Sequence, residues 1–454
     1  MDVSWISRMK RRVKGPKGVG KSFLFLQGPH GPFFRQLARA LKAEGASVLK
    51  VGVNRADDRE WGGVGPYQPY TGGIDGWAEW LDQLMAERGV TDIVLYGDTR
   101  AYHANAVRVA EARGAQVHVF EEGYLRPYWV TYERGGSNGH SRLMDLSLDD
   151  MAEVAAMEDE NHPEAPAIWG AAWRHALHGF RYHFDVLARN RAYPGFAPHR
   201  PTSVRRELSL YLKRMLVLPF LIPQGRARER QLLASGKTYH LVLLQMAVDA
   251  SMRAHSDFDS VSSFIEHCLV AFRDGAAADQ HIVFKTHPFE DGRERLERFT
   301  RRKAAELGLG GRVVFLHGGK LGALLDRARS AVTINSTAGQ QALWRGLPIS
   351  VNGRAVYGKA EFTTDQPLAE FFAAPAAPDA MAYRDYRQFL LSTSQVEGSF
   401  YTVAGRTSAV RLVVSKMLDV LDPYDRAFAT VAAETANLTN DPKVALFTPQ
   451  ATAS

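Results

Sequence analysis

The chain has 454 residues, 45% hydrophobic and 23% charged, with a formal net charge of +7 and one cysteine. Such a length exceeds what one hydrophobic core usually serves, so two domains are expected. The lone Cys268, set among apolar residues, excludes an internal disulfide and fits a reducing cytoplasm, while the sequence offers neither a long apolar run for a membrane span nor the pattern of a secretory signal.

Residues 1–21 form a basic arm in which Arg8, Lys10, Arg11, Arg12, Lys14, Lys17 and Lys21 face Asp2 alone. No nucleic-acid recognition motif follows it, so nucleic acid is not expected as a partner. Trp5, Ile6 and Met9 suit an anionic membrane surface, and a disordered basic arm is the alternative. A strand is predicted over 22–28 (SFLFLQG), then a helix over 33–44 with Phe33, Phe34, Leu37, Ala38 and Leu41 on one face. The strand SVLKVGVN, a turn-rich stretch over 62–73, a helix over 76–88, the strand DIVLYG, a helix over 104–113 and the strand QVHVF follow. From 142 to 236 the pattern becomes helical and irregular. Alternation resumes with YHLVLLQ, a helix over 260–273, HIVFKTH, a helix over 293–307, RVVFLHG, a helix over 320–328, AVTINS, a helix over 338–345 and PISVNG.

This order predicts an α/β protein of two Rossmann-like domains with a helical insert, the layout of a GT-B glycosyltransferase. The expected domains are 22–141 on the acceptor side and 237–430 on the donor side. Residues 142–236 link them, and 431–454 form a small, polar, poorly ordered tail. In such sheets ligands bind beyond the carboxyl ends of the strands.

One motif misleads. GPKGVGKS (15–22) fits the P-loop pattern at Gly15, Gly20, Lys21 and Ser22, yet a basic segment precedes it and a strand follows it. A working P-loop needs a buried strand before and a helix after, so a hinge is the reading.

The informative motifs sit at strand ends. QGPHGPF (27–33) forces a tight turn and places His30 and Gly31 at the first carboxyl edge. FEEGYLRPYW (120–129) carries Glu121 and Glu122 with Arg126 close by. A retaining glycosyltransferase that works by double displacement needs one carboxylate as nucleophile, and either Glu can serve. VFKTHPFEDG brings Lys285 and His287 to a strand end, able to contact a phosphate or sugar carboxylate. Asn335, Ser336, Thr337 and Gly339 lie between a strand and a helix, where hydroxyls, N–H groups and the helix dipole suit the donor phosphate. Gln245 and Asp249, in LLQMAVDASMRAHS, are further nucleotide contacts or simply helix-start residues. No Asp-x-Asp pair stands at a strand end; Asp57-Asp58 falls in a turn-rich stretch, and neither a metal nor another cofactor is expected.

Together FLFLQGPHGPFFRQLARAL, FEEGYLRP, LVLLQ…D…HS, KTHP and INSTAGQQALWRGLPISVNGRAVY resemble the capsule polysaccharide biosynthesis/export family, in its KpsS/LipB-like branch. The likeness spans roughly residues 22–415. It implies a retaining β-Kdo transferase that takes Kdo from CMP-β-Kdo to a lyso-phosphatidylglycerol acceptor. The protein would then be cytoplasmic and peripheral on the inner membrane, working beside other capsule synthesis and export proteins. Related modules carry Glu-Asp-Gly with Asp as nucleophile, and Glu122 of Glu121-Glu122-Gly123 occupies that position. Residues 205–228, with Leu208, Leu212, Met215, Leu216 and Leu218 beside Arg205, Arg206, Lys213 and Arg214, read either as a lipid-facing segment or as a core helix. A non-catalytic export or assembly factor is the alternative function.

Overall fold

The structure, a computed structural model, describes residues 17–157, 172–197, 204–247, 250–287, 290 and 292–439. Residues 1–16 of the basic arm, Asp249 and residues 440–454 lie outside these. The chain divides into two compact units. Unit 1 holds the described residues of 1–121, 169–197 and 396–420, and unit 2 those of 122–168, 198–395 and 421–454.

In unit 1, β1 (Ser22–Phe25), β2 (Ser47–Gly52), β3 (Tyr67–Pro69), β4 (Asp92–Tyr96) and β5 (Gln116–Glu122) pair in the order β5-β4-β1-β2-β3, every pair parallel. This is the Rossmann order, with its switch point between β1 and β4. Phe23, Leu24, Phe25, Ile93, Val94 and Leu95 are wholly buried, as strands covered on both faces require. The helix Phe33–Ala43 buries the five residues that its spacing predicts, each large side chain contributing roughly 1.5–3 kcal/mol. The turn-rich stretch also holds structure: Asn54 caps a helix, Arg55–Trp61, by accepting from the N–H groups of Ala56 and Asp57.

In unit 2, β6 (Trp129–Arg134) bonds to the segment before residue 395, Tyr132 N–H donating to Ser394 O at 2.9 Å. Its main sheet comprises β7 (Tyr239–Leu243), β8 (His281–Lys285), β9 (Val313–Leu316), β10 (Ser330–Thr333) and β11 (Ile349–Val351). The order is β11-β10-β7-β8-β9, again all parallel and again the Rossmann order, with the switch point between β7 and β10. Cys268 is wholly buried in the helix Val261–Gly275, and burial pushes its thiol well up, so it packs as a small apolar group.

The units do not follow the chain boundaries 141/142 and 236/237. Tyr124, Leu125 and Leu143 are buried in the unit 2 core with Tyr239, Leu241 and Tyr424, so the chain leaves unit 1 as soon as β5 ends. The helix Ala172–Arg189 returns to unit 1, where Tyr182 receives hydrogen bonds from Gln27 (3.0 Å) and Asn54 (2.9 Å). The helix Val403–Met417 does likewise, and Phe400 just before it meets Phe33 at 4.8 Å between ring centroids. The expected tail continues as the helix Pro423–Thr439, with Phe428 and Val431 against the unit 2 core.

Lys21, the P-loop lysine by pattern, performs a structural task. Residues 17–20 form a turn and Ser22 opens a strand rather than a helix. Lys21 Nζ donates to Asp92 Oδ1 at 2.9 Å, at the sheet edge remote from the strand carboxyl ends, and His118 Nε2 meets the same oxygen at 2.8 Å. Burial disfavours the Asp92 carboxylate, but His118, Thr91 and Lys21 outweigh it and hold its pKa at about 2. The folded value lies below the ordinary 3.8, so the stabilisation is complete above the unfolded value and is lost as pH falls through the folded one. Urea denaturation of Asp92→Asn at pH 7 should show a loss of about 2 kcal/mol that shrinks towards pH 2. Lys21→Ala, removing a partly exposed partner, should cost under about 1 kcal/mol. A pH-independent loss in Asp92→Asn would contradict this account.

Candidate functional site

Unit 2 gathers its chemistry at the carboxyl edge of its sheet. Gln245 lies two residues past β7 and Asn335 two past β10, on either side of the switch point. Both are buried and bonded to each other: Gln245 Nε2 donates to Asn335 Oδ1 at 2.8 Å, and Asn335 N–H donates to Gln245 Oε1 at 3.2 Å. Asn335 Nδ2 also donates to the backbone oxygen of His255 at 3.3 Å. Two strand ends are thereby cross-linked where an α/β sheet ordinarily holds its ligand.

Lys285 closes β8, the neighbour of β7, and His287 follows. Burial lowers the Lys285 ammonium from its ordinary value, with Glu229 opposing. His287 is driven down to about 4, first by burial and then by the positive charges of Arg126 and Lys285. Arg126, Lys285 and His287 therefore share one electrostatic neighbourhood. At neutral pH His287 is therefore a neutral hydrogen-bonding group. Like charges brought together in this way are costly unless an anion joins them.

The segment after β5 is fastened to the same unit. Thr131 Oγ1 donates to Glu122 O at 3.1 Å, and Tyr124 N–H to Thr131 Oγ1 at 3.2 Å. Gln340 Nε2 donates to Tyr124 O at 3.1 Å, and Leu125 N–H to Gln395 Oε1 at 3.3 Å. Gly123 is required sterically, since a Cβ there would lie 2.3 Å from the Trp129 oxygen. Beneath the segment Glu133, 1% exposed, accepts from the hydroxyls of Tyr124 at 2.6 Å and Tyr424 at 2.5 Å, and from Ser141 Oγ.

The sequence placed Glu122 in the acceptor-side half, opposite the phosphate site. It is the last residue of β5 in the unit 1 sheet, and the division between the units falls between Glu121 and Glu122. Its neighbour Glu121 ends unit 1, its carboxylate oxygen 3.0 Å from where a Cβ on Gly97 would stand. Successive strand residues point to opposite faces, so the two side chains leave β5 on opposite sides.

Asn335–Gly339 differs from expectation in one respect. The helix that follows is Gly339–Leu343, five residues rather than 338–345, and its N-cap, Ala338, makes no side-chain cap. Ser336 Oγ accepts from Ala338 N–H at 3.2 Å, an ordinary turn bond. Gly339 is there for packing: a Cβ would lie 2.4 Å from the Tyr357 hydroxyl, which itself donates to Ser336 O at 2.5 Å. Ser336 and Thr337 remain half-buried at the sheet edge, with only a short helix dipole behind them. Asp249 is outside the described residues.

His30 and Gly31 belong to unit 1. The His30 ring packs on Tyr182 at 4.4 Å between centroids, and Gly31 N–H donates to Glu60 Oε1 at 3.0 Å. Below them Lys50 Nζ donates to Leu26 O, and Asp57 Oδ2 accepts from Val53 N–H at 3.0 Å. Burial pushes Glu60 up to about 8 and raises Asp57 as well. Sequence reasoning missed this cluster, although a lysine inside the apolar strand SVLKVG was its signal. It also passed over His255, 2% exposed and 4.8 Å from the His140 ring, despite quoting the segment that contains it. Among the described residues no group of three or more His, Cys, Asp or Glu is placed to hold a metal ion.

Comparison with known proteins agrees with the motifs. A family model described as capsule polysaccharide biosynthesis protein matches residues 91–401. The capsule polysaccharide modification protein LipB of Neisseria meningitidis serogroup B is 33% identical over 406 residues, covering 87% of this chain and 95% of that protein. The capsule polysaccharide export protein KpsS of Escherichia coli is 31% identical over 387 residues, covering 84% and 97%. Among solved structures, Thermosulfurimonas dismutans KpsC, a β-Kdo 2,7 transferase, has a TM-score of 0.45 at 14% identity, covering 87% of this chain and 99% of that one. Anabaena HepE with UDP and glucose has a TM-score of 0.31 at 11% identity, covering 92% and 100%. Scores of that size carry no weight for function, whereas the sequence relatives match nearly end to end. With the family model spanning most of its length and two relatives about one-third identical, the chain belongs to the capsule polysaccharide biosynthesis protein family.

Proposed function

We propose that this protein is a retaining glycosyltransferase that moves Kdo from CMP-β-Kdo to a lyso-phosphatidylglycerol acceptor at the inner membrane surface, starting the oligo-Kdo linker of a capsule. The observation that carries the transferase reading is the Gln245–Asn335 bridge across the switch point of the unit 2 sheet, with Lys285 ending the adjacent strand β8; the charge of Arg126 is felt at the same strand end. Two cations and a neutral imidazole suit a nucleotide phosphate and a sugar carboxylate, stabilising the phosphate as it departs. Kdo as the sugar, CMP as its carrier and the lipid acceptor rest on the motif resemblance.

Glu122 is the nucleophile in this proposal. A carboxylate oxygen of Glu122 bonds to the ketosidic carbon as the bond to the CMP phosphate breaks, the electron pair leaving with the phosphate. The acceptor hydroxyl then displaces Glu122, its proton passing to a base or to water. Two inversions give retention.

The direct test incubates purified protein with CMP-Kdo and a short-chain lyso-phosphatidylglycerol, read by mass spectrometry. Glu122→Gln should keep the fold and CMP affinity while turnover falls by about three orders of magnitude or more. Glu121→Gln should lose much less. The opposite ranking would name Glu121, and full activity in both variants would end the covalent mechanism. An export factor would show no turnover and would tolerate Glu122→Gln.

CMP affinity should fall at least about tenfold in Arg126→Ala and in Lys285→Ala, and less in His287→Gln, which removes a neutral group at pH 7. EDTA should leave turnover unchanged. Loss of activity in EDTA with recovery in magnesium would require a metal, and a larger effect from His287→Gln than from Arg126→Ala would contradict the division of charge.

A further inference from the structure

Each unit carries one helix with an apolar stripe on its exposed side. In unit 2 it is Val204–Ala234, where Leu212, Leu216 and Phe220 are 48%, 74% and 76% exposed. These three stand four residues apart, and Arg205 and Ser209, also exposed, extend the same face. Exposure at this level favours the lipid-facing reading for Leu212 and Leu216, while Leu208 is half-buried. In unit 1 it is Ala172–Arg189, where Phe180, Phe184 and Leu187 are 41%, 44% and 37% exposed at spacings of four and three.

The charges on both helices are sorted by sign. On Val204–Ala234 the exposed charged residues are Arg205, Arg206, Lys213, Arg226 and Arg230. Its two acids are turned inward: Glu207 receives Arg293 at 3.0 Å, and Glu229 accepts from Lys320 N–H at 3.0 Å. On Ala172–Arg189, Arg181 and Arg189 are exposed, while the single acid, Asp185, is buried and paired with Arg59. Arg189 also lies over the Phe184 ring at 5.9 Å. Exposed leucines and phenylalanines flanked by cations alone are what an anionic lipid surface complements: the apolar side chains enter the headgroup boundary and the cations meet the phosphates. No helix among the described residues is long and apolar enough to cross a membrane, so the contact is one of lying on the surface.

We infer that the stripe Leu212–Leu216–Phe220 of unit 2, with Arg205 and Lys213, docks this protein on an anionic phospholipid bilayer. This rests on the proposed lipid acceptor and adds the surface by which the enzyme reaches it.

The test is co-sedimentation of the full-length protein with phosphatidylcholine vesicles, with and without phosphatidylserine. That lipid is chosen so that recognition of a glycerol headgroup by the active site is not read. Wild type should prefer the anionic vesicles. Leu216→Ser with Phe220→Ser, and separately Leu212→Ser, should each lower partitioning by about tenfold. Arg205→Gln with Lys213→Gln should lower it by about tenfold at low salt, a difference that high salt erases. All three variants should keep wild-type turnover on the short-chain acceptor. Equal binding of wild type to both vesicle types, or wild-type binding by the serine variants, overturns the inference and leaves the basic arm as the contact. Loss of self-association in those variants with vesicle binding unchanged also overturns it, in favour of a protein partner. Vesicle binding without turnover defeats the proposed reaction alone, and turnover without vesicle binding defeats the docking surface alone.

Discussion

The buried carboxylate of Glu133 is the constraint on which the candidate site depends. Two tyrosine hydroxyls and a serine converge on it, one tyrosine from the segment just after β5 and the other, Tyr424, from the far end of the chain. A carboxylate wholly removed from water is tolerable only when its lone pairs are met, so removing one donor leaves the others under strain. The hub therefore fixes Tyr124, and Tyr124 fixes the loop carrying Glu122 and Arg126. Gln340 and Gln395 hold the backbone of the same loop at Tyr124 and Leu125. Without this anchoring Arg126 would have no reason to stand near Lys285 and His287.

The two units repeat one topology, and the consequences differ with what occupies the switch point. In unit 2 it is two amides bonded to each other, a neutral and rigid cross-link beside a cationic group. In unit 1 the carboxyl ends of β1 and β2 overlie Lys50, Asp57 and Glu60, a charged set whose burial is compensated internally. The first arrangement sets a neutral cross-link beside Lys285 at the adjacent strand end. The second binds its own charges and shapes the turn at His30 and Gly31.

Much of the fold was legible because a parallel sheet writes itself as apolar runs separated by helical periodicity. Strand ends could be located within about three residues, and Gln245, Lys285 and Asn335 were found there. The unit boundary was not legible. Residues 122–141 follow β5 directly in the chain, and only the burial of Tyr124, Leu125 and Leu143 among residues a hundred or more positions away assigns them to unit 2. Glu133 was invisible for the same reason: in WVTYER it reads as a solvent-facing strand residue, and its partner Tyr424 is 291 positions distant. The neutral state of His287 was not legible, because it depends first on burial and then on an arginine brought in from residue 126.

The central claim is that the Glu133 hub delivers Arg126 to the donor phosphate. A double-mutant cycle tests it most directly, with Tyr124→Phe and Arg126→Ala made singly and together and CMP affinity measured by calorimetry. Tyr124→Phe removes one hydroxyl that touches no nucleotide, so any loss must pass through the loop. The account predicts that Tyr124→Phe weakens CMP binding in the wild-type background and has little further effect once Arg126 is gone, a coupling of about 1 kcal/mol or more. Losses that simply add, or a Tyr124→Phe protein with unaltered CMP affinity, would contradict it.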